Sequence, residues 1–263
     1  MRYILHSMSM NLRRVAQYRT SFLMQTIAQL VMTLGDLWAI LMLLERFGAI
    51  GHWSLYEVLF FFGAMQTAFA LTEMINRGFG RFATLIRTGG LDSMLTRPRS
   101  PLLQVILSEL DPRRIGTVLV GLSALVVSSR RLALVWHWLD VLLLLWAITG
   151  TVMLMMGLFM LEAVVCFFTV QSTEIINTLT YGGRQTCQYP IDIYPEWLRN
   201  LFTMVVPLTL CLQFPICRIL KQPLAGVMPG NWVWLTPLAG AVFFFAMMLL
   251  WRAGLKHYRS TGS

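Results

Sequence analysis

The chain has 263 residues, of which 57% belong to the apolar set and only 13% are charged. An ordinary globular domain carries about 25% charged residues, so this composition excludes a water-facing body and makes lipid the expected solvent. The net charge of +9 comes from 21 basic residues against 12 acids, grouped beside apolar runs and not along one stripe, which argues against a nucleic-acid partner.

Residues 1–19 place Ile4, Met8, Leu12 and Val15 on one helical face opposite Arg2, His6, Ser9 and Arg13. This spacing predicts a helix lying in the membrane interface. The same arginines leave no compact apolar core for a cleaved signal peptide. A first span is expected at 20–44, where eleven strongly apolar residues outweigh the insertion cost of Asp36. A polar turn at 45–54 leads to a second span at 55–75. Residues 76–114 hold seven arginines with Gly89, Gly90, Pro98 and Pro101, and predict a water-exposed basic loop. A third span is expected at 115–129. Residues 138–181 would reach about 65 Å as one helix, twice the hydrocarbon thickness, so they predict two spans with a turn near 157–162. The 182–222 stretch contains Pro190, Pro195, Pro207 and Pro215, which predicts a re-entrant or interfacial hairpin. A last span at 232–251 precedes a tail at 253–263.

The reading is all-α: a polytopic membrane protein with six transmembrane helices, in which residues 20–252 form one membrane domain. Six spans put both termini on one side, which would receive 14 of the 21 basic residues, so that side is expected to be cytoplasmic. The pair Arg130 and Arg131 votes the other way.

No motif for bond chemistry is present. The sequence lacks a G-x-x-x-x-G-K-[ST] phosphate loop, an H-E-x-x-H pair and a G-x-S-x-G elbow, so no catalytic or metal-ligating set is expected. Cys166, Cys187, Cys211 and Cys217 form no CxxC pair and read as packing thiols. Three polar stripes at helical spacing either line a pathway or glue helices together. They comprise Gln25, Gln29, Thr33 and Asp36 in span one, and Gly63, Gln66, Ala70 and Glu73 in span two. The third, in span five, is Glu162, Cys166, Thr169, Thr173 and Asn177. Asp36 is the sharpest pathway candidate, and a stand-alone ion-coupled carrier using it as a protonatable site is the alternative to an externally powered permease. The basic loop also has two readings: anchoring to anionic lipid, or a short helix docking into a partner through Leu91, Met94 and Leu95 and ended by Pro98.

The block Arg87-Thr-Gly-Gly-Leu91-Asp92-Ser-Met94-Leu95-Thr-Arg97-Pro98, followed by Tyr189-Pro190-Ile-Asp-Ile-Tyr194-Pro195-Glu-Trp197 and then Pro207 and Pro215, resembles the bacterial type-2 ABC exporter permeases. It is more narrowly similar to the subfamily in which two related permeases are encoded beside one ATPase. The resemblance implies a cytoplasmic coupling helix at 87–98 seated on an ATPase subunit, with Arg87, Asp92 and Arg97 beside the apolar anchors. It implies an external re-entrant gate at 189–222 built on Tyr189, Pro190, Tyr194, Pro195, Trp197, Pro207 and Pro215. It also implies two ATPase copies that bind ATP and Mg, a second permease that is either a self copy or a related chain, and a place in the bacterial inner membrane. This chain itself would hold no cofactor, and no cargo follows from the likeness.

Overall fold

A computed structural model describes residues 19–169, 174–222 and 232–258. The expected interfacial helix, Thr173 and the end of the tail lie outside the described residues. Helix α1 (Arg19–Phe47) ends at Gly48, whose φ of 78° turns the chain into a two-residue β-hairpin, β1 (Ala49–Ile50) and β2 (Trp53–Ser54). Ser54 and Glu57 form a capping box that starts α2 (Leu55–Gly80), the Ser54 N–H donating to Glu57 Oε2 at 2.8 Å.

The basic loop is helical. Helices α3 (Phe82–Arg87), α4 (Gly90–Leu95) and α5 (Pro101–Ser108) follow α2, and a 3-10 turn (Pro112–Arg114) leads into α6 (Ile115–Arg131). Helix α7 (Trp138–Cys166) is next, then α8 (Glu174–Cys187). The proline-rich stretch builds a 3-10 turn (Ile191–Ile193), α9 (Glu196–Asn200), two π-helical turns (Leu201–Val205 and Thr209–Gln213) and α10 (Phe214–Ile219). A 3-10 turn (Trp232–Trp234) precedes the last helix, α11 (Leu238–His257).

Among the described residues, four helices are long and apolar enough to cross a membrane, or five if the bent pair Glu196–Val205 and Thr209–Ile219 is one span. That pair turns through 83° at Pro207, a residue without an N–H for a continuing helix. The turn expected near 157–162 is absent, because α7 runs unbroken to Cys166 and the chain turns at Phe167. Glu162, Cys166, Thr169 and Asn177 therefore do not share one helix. Likewise, the polar 182–187 segment is not a turn; it is the last part of α8.

Helix α2 is the centre of the bundle. Phe60, Phe61, Phe62, Met65 and Phe69 are all buried, and α6, α7 and α8 pack around them. Gly63 and Gly121 let α2 and α6 cross almost backbone to backbone: a Cβ on Gly63 would stand 2.8 Å from the Gly121 carbonyl oxygen. Small residues are the usual means of such close approach in lipid. One end of the bundle holds the β-hairpin, the 132–137 loop and the 188–195 segment. The other, basic end holds α3 to α5 and the end of α11. There Phe82, Phe167 and Trp251 meet edge-on or tilted, with ring centroids 5.0–5.2 Å apart. All four cysteines are buried and free.

Replacing Gly121 with Leu should overpack the α2–α6 crossing at a cost of about 1–3 kcal/mol. Thermal melting of the detergent-purified chain reads this as a clear drop; an unchanged melting temperature would mean the two helices can part without loss.

Candidate functional site

Two features of the fold bear on function: a row of charged groups inside the bundle, and the helical loop at its basic end. The row follows α2, where Gln66, Phe69, Glu73, Asn76 and Arg77 recur at helical spacing over about 16 Å. At its upper end Arg184, from α8, donates through Nη2 to Asp36 Oδ2 of α1 and to Gln66 Oε1 of α2, both at 3.0 Å. The guanidinium also lies 4.9 Å from the Phe69 ring centroid. One turn lower, Arg114 donates to Glu73 Oε1 at 2.8 Å. At the basic end Arg77 pairs with Asp111 at 3.1 Å, and Arg113 reaches the same carboxylate. These residues join α1, α2, α8 and the 111–114 turn, each charge named here having an opposite partner.

The expected stripes are thereby sorted. Asp36 faces the bundle and is bound to Arg184, and Gln66 is buried against the same arginine. Thr33 is buried and donates back to the Gln29 carbonyl at 2.9 Å. Gln25 is exposed on the outer face of α1, where it bonds Ser21. Asn177 is half-buried on α8, and Thr169 lies in the turn after α7. Gln25 thus stands apart from the charged row, whereas Gln66 belongs to it.

A cavity of about 240 Å³ opens beside the row, bounded by Glu73, Asn76, Arg77, Arg81, Phe159 and Tyr181. Glu73 Oε2 and Asn76 Oδ1 are buried without a hydrogen-bond partner. At about 30 Å³ per molecule, water has room here to satisfy both. No cluster of His, Cys, Asp and Glu among the described residues could hold a metal.

The loop at the basic end is a built structure. Gly89, with φ of 66°, reverses the chain between α3 and α4. Gln104 on α5 donates through Nε2 to the carbonyls of Met94 (3.0 Å) and Arg99 (3.2 Å), which fastens the end of α4. Arg81 and Glu109 pair at 2.6 Å across the base of the loop. Leu91 is a correction: it is fully buried with Phe82 and Ile86, so it is core and not an exposed anchor. Met94 and Asp92 are half-buried, whereas Arg87, Leu95, Arg97 and Pro98 face outward. The Asp92 carboxylate lies near Tyr258, whose hydroxyl burial and that carboxylate hold above its ordinary pKa, so it stays protonated.

At the hairpin end, Gln213 bonds the Ile191 N–H through Oε1 and the Tyr189 carbonyl through Nε2, each at 2.8 Å. Trp53 Nε1 donates to the Asp192 carboxylate at 2.9 Å. Pro190 and Pro215 are buried, Tyr189, Tyr194 and Pro207 are half-buried, and Pro195 and Trp197 are exposed. Sequence reasoning missed Arg184, Arg114, Gln104 and Gln213. The i, i+7 spacing of Asn177 and Arg184 was the one available signal that Arg184 belongs to a polar helix face.

Asp36→Ala and Arg184→Ala should each destabilise the chain, and the double variant should lose less than the sum, leaving a coupling of about 0.5–3 kcal/mol. Chemical or thermal unfolding of the four proteins measures it; additive losses would show that the contact holds nothing together.

No curated protein and no solved structure matches the chain with significance. Residues 30–262 match the family described as ABC-2 family transporter protein. That stretch takes in every described helix except the first part of α1. The chain belongs to the ABC-2 transporter family and is a multi-pass membrane protein, the permease component of an ABC exporter.

Proposed function

We propose that this permease moves its cargo by alternating access, driven by a separate ATPase seated on α4. The observation that carries the reading is the short helix α4. It is fastened by Gln104 on one side and set on the buried Leu91 on the other, and it presents Leu95, Arg97 and Pro98 outward. An exposed apolar side chain beside a cation and a proline on a rigid helical loop suits docking into a groove. Arg87, Asp92 and Met94 flank that strip.

Two ATPase copies would bind ATP and Mg and, on closing, push α4 and with it α2. A second permease, a self copy or a related chain encoded beside the same ATPase, would complete the route, since one bundle of this size encloses half of it. The proposed layout has six spans, α1, α2, α6, α7, α8 and α11, with the bent 189–222 segment re-entering between the last two. The basic end then faces the cytoplasm of a bacterial inner membrane, in keeping with its arginines. Residues 189–222 act as the external re-entrant gate, held shut at Gln213 and Asp192. The bound Arg184 gives Asp36 a structural counter-charge, so Asp36 is not the lone acid that an ion-coupled carrier would need.

The test is the double variant Leu95→Asp, Arg97→Glu in the full chain. It should remain in the membrane while the ATPase purified with it falls by about tenfold or more. Wild-type retention of the ATPase would move the docking site off α4. Leu91 is unsuited to this test because a charge there would disturb the loop itself.

A further inference from the structure

The hairpin end contains a second cavity, of about 470 Å³, between the 132–137 loop, the first turns of α7, the end of α10 and the Trp232–Trp234 turn. Arg218 and Lys221 stand on it, and neither forms an ion pair among the described residues. Its acid, Asp140, is engaged in capping α7 by accepting from the His137 N–H at 3.2 Å. The walls beneath the cations are apolar: Leu139, Leu143, Trp136 and Trp234.

A more open surface depression of about 400 Å³ shares Trp234 with this cavity and is lined by Leu142, Leu145, Trp146 and Thr149 of α7. Positions 139, 142, 145, 146 and 149 follow one another at helical spacing, so the two spaces form one trough running from the end of α7 toward its middle. Trp146 Nε1 donates to the Trp234 carbonyl at 3.1 Å and fixes the wall common to both. The backbone is also strained here. Ala133 (φ 47°) and Lys221 (φ 56°) are the two non-glycine residues with positive φ among the described residues, and both line the larger cavity. Such a conformation costs about 1–2 kcal/mol for an L-residue, and at Lys221 it sets the direction in which the ammonium leaves the chain.

We infer that this trough binds an anionic glycerophospholipid, with the phosphate against Arg218 and Lys221 and one acyl chain lying along α7. The headgroup end lies at the bundle end, among the tryptophans that favour the membrane interface, and the apolar end lies at hydrocarbon depth. Two cations with one engaged acid match a net negative headgroup; a zwitterionic lipid would bring a cation of its own to the same place. An apolar protein segment would fill the α7 groove but leave both cations unmatched.

The test uses the full chain in mild detergent, loaded with dioleoyl-phosphatidylglycerol or dioleoyl-phosphatidylcholine and read by native mass spectrometry. The wild-type chain should retain phosphatidylglycerol in preference to phosphatidylcholine, and inorganic phosphate should not displace it. Arg218→Gln with Lys221→Gln should lower that retention by about tenfold or more. Arg130→Gln with Arg131→Gln, at the same end but outside the trough, should leave it unchanged. Arg218 and Lys221 are exposed, so the first pair should melt like the wild type. Equal retention of the two lipids, unchanged retention in Arg218→Gln with Lys221→Gln, or a lipid-free dimer would each overturn the assignment.

Discussion

A charge inside hydrocarbon must meet its counter-charge within the protein, and α2 is where this chain arranges those meetings. Arg184 reaches Gln66 and Asp36, Arg114 reaches Glu73 and Arg77 reaches Asp111, so α1, α8 and the 111–114 segment are tied to one buried rod. Apolar packing alone specifies little between membrane helices, because lipid tails compete equally for the same surface. The ion pairs and the Gly63–Gly121 crossing supply the specificity. They also make α2 stiff along its length, and its basic end passes directly into α3 and the outward-facing helix α4.

That continuity gives the permease a mechanical logic. Phe79 at the foot of α2, Phe82 on α3, Phe167 after α7 and Trp251 on α11 interlock at the basic end. On the proposed docking, a push on α4 would pass through Leu91, buried beside Phe82, into these packed rings, and close-packed interiors transmit displacement well. At the opposite end, beyond the 83° bend at Pro207, the Gln213 side chain ties the second arm to the 189–191 segment, which the Trp53–Asp192 bond fastens to the β-hairpin. A few hydrogen bonds are readily exchanged, which suits the proposed gate.

The apolar runs were legible because bilayer thickness sets a length that hydropathy can count. The span boundary near 157–162 was not, because Glu162 and Gly157 read as a turn while tertiary packing keeps both inside a continuous α7. Arg184 was hidden for a related reason. Gly182 and Gly183 signal a turn in water, but in this bundle Gly183 lets Phe202 and Leu208 approach α8, where an added Cβ would stand 2.9 and 2.8 Å from them. The 87–98 block contains a short helix, Gly90–Leu95, that stops before Pro98, with Arg87 left on α3; periodicity could not tell Leu91 from Leu95. Only the cover provided by α3 and α5 makes the first core and the second surface.

The energy for the proposed transport cycle comes from a partner ATPase docked at the basic end. Purifying the tagged wild-type chain from its native membrane in mild detergent, and identifying by mass spectrometry everything that accompanies it, tests this most directly. The account predicts a stoichiometric protein with a phosphate-binding loop, together with either a related permease or a second copy of this chain. A folded chain that came alone would contradict it.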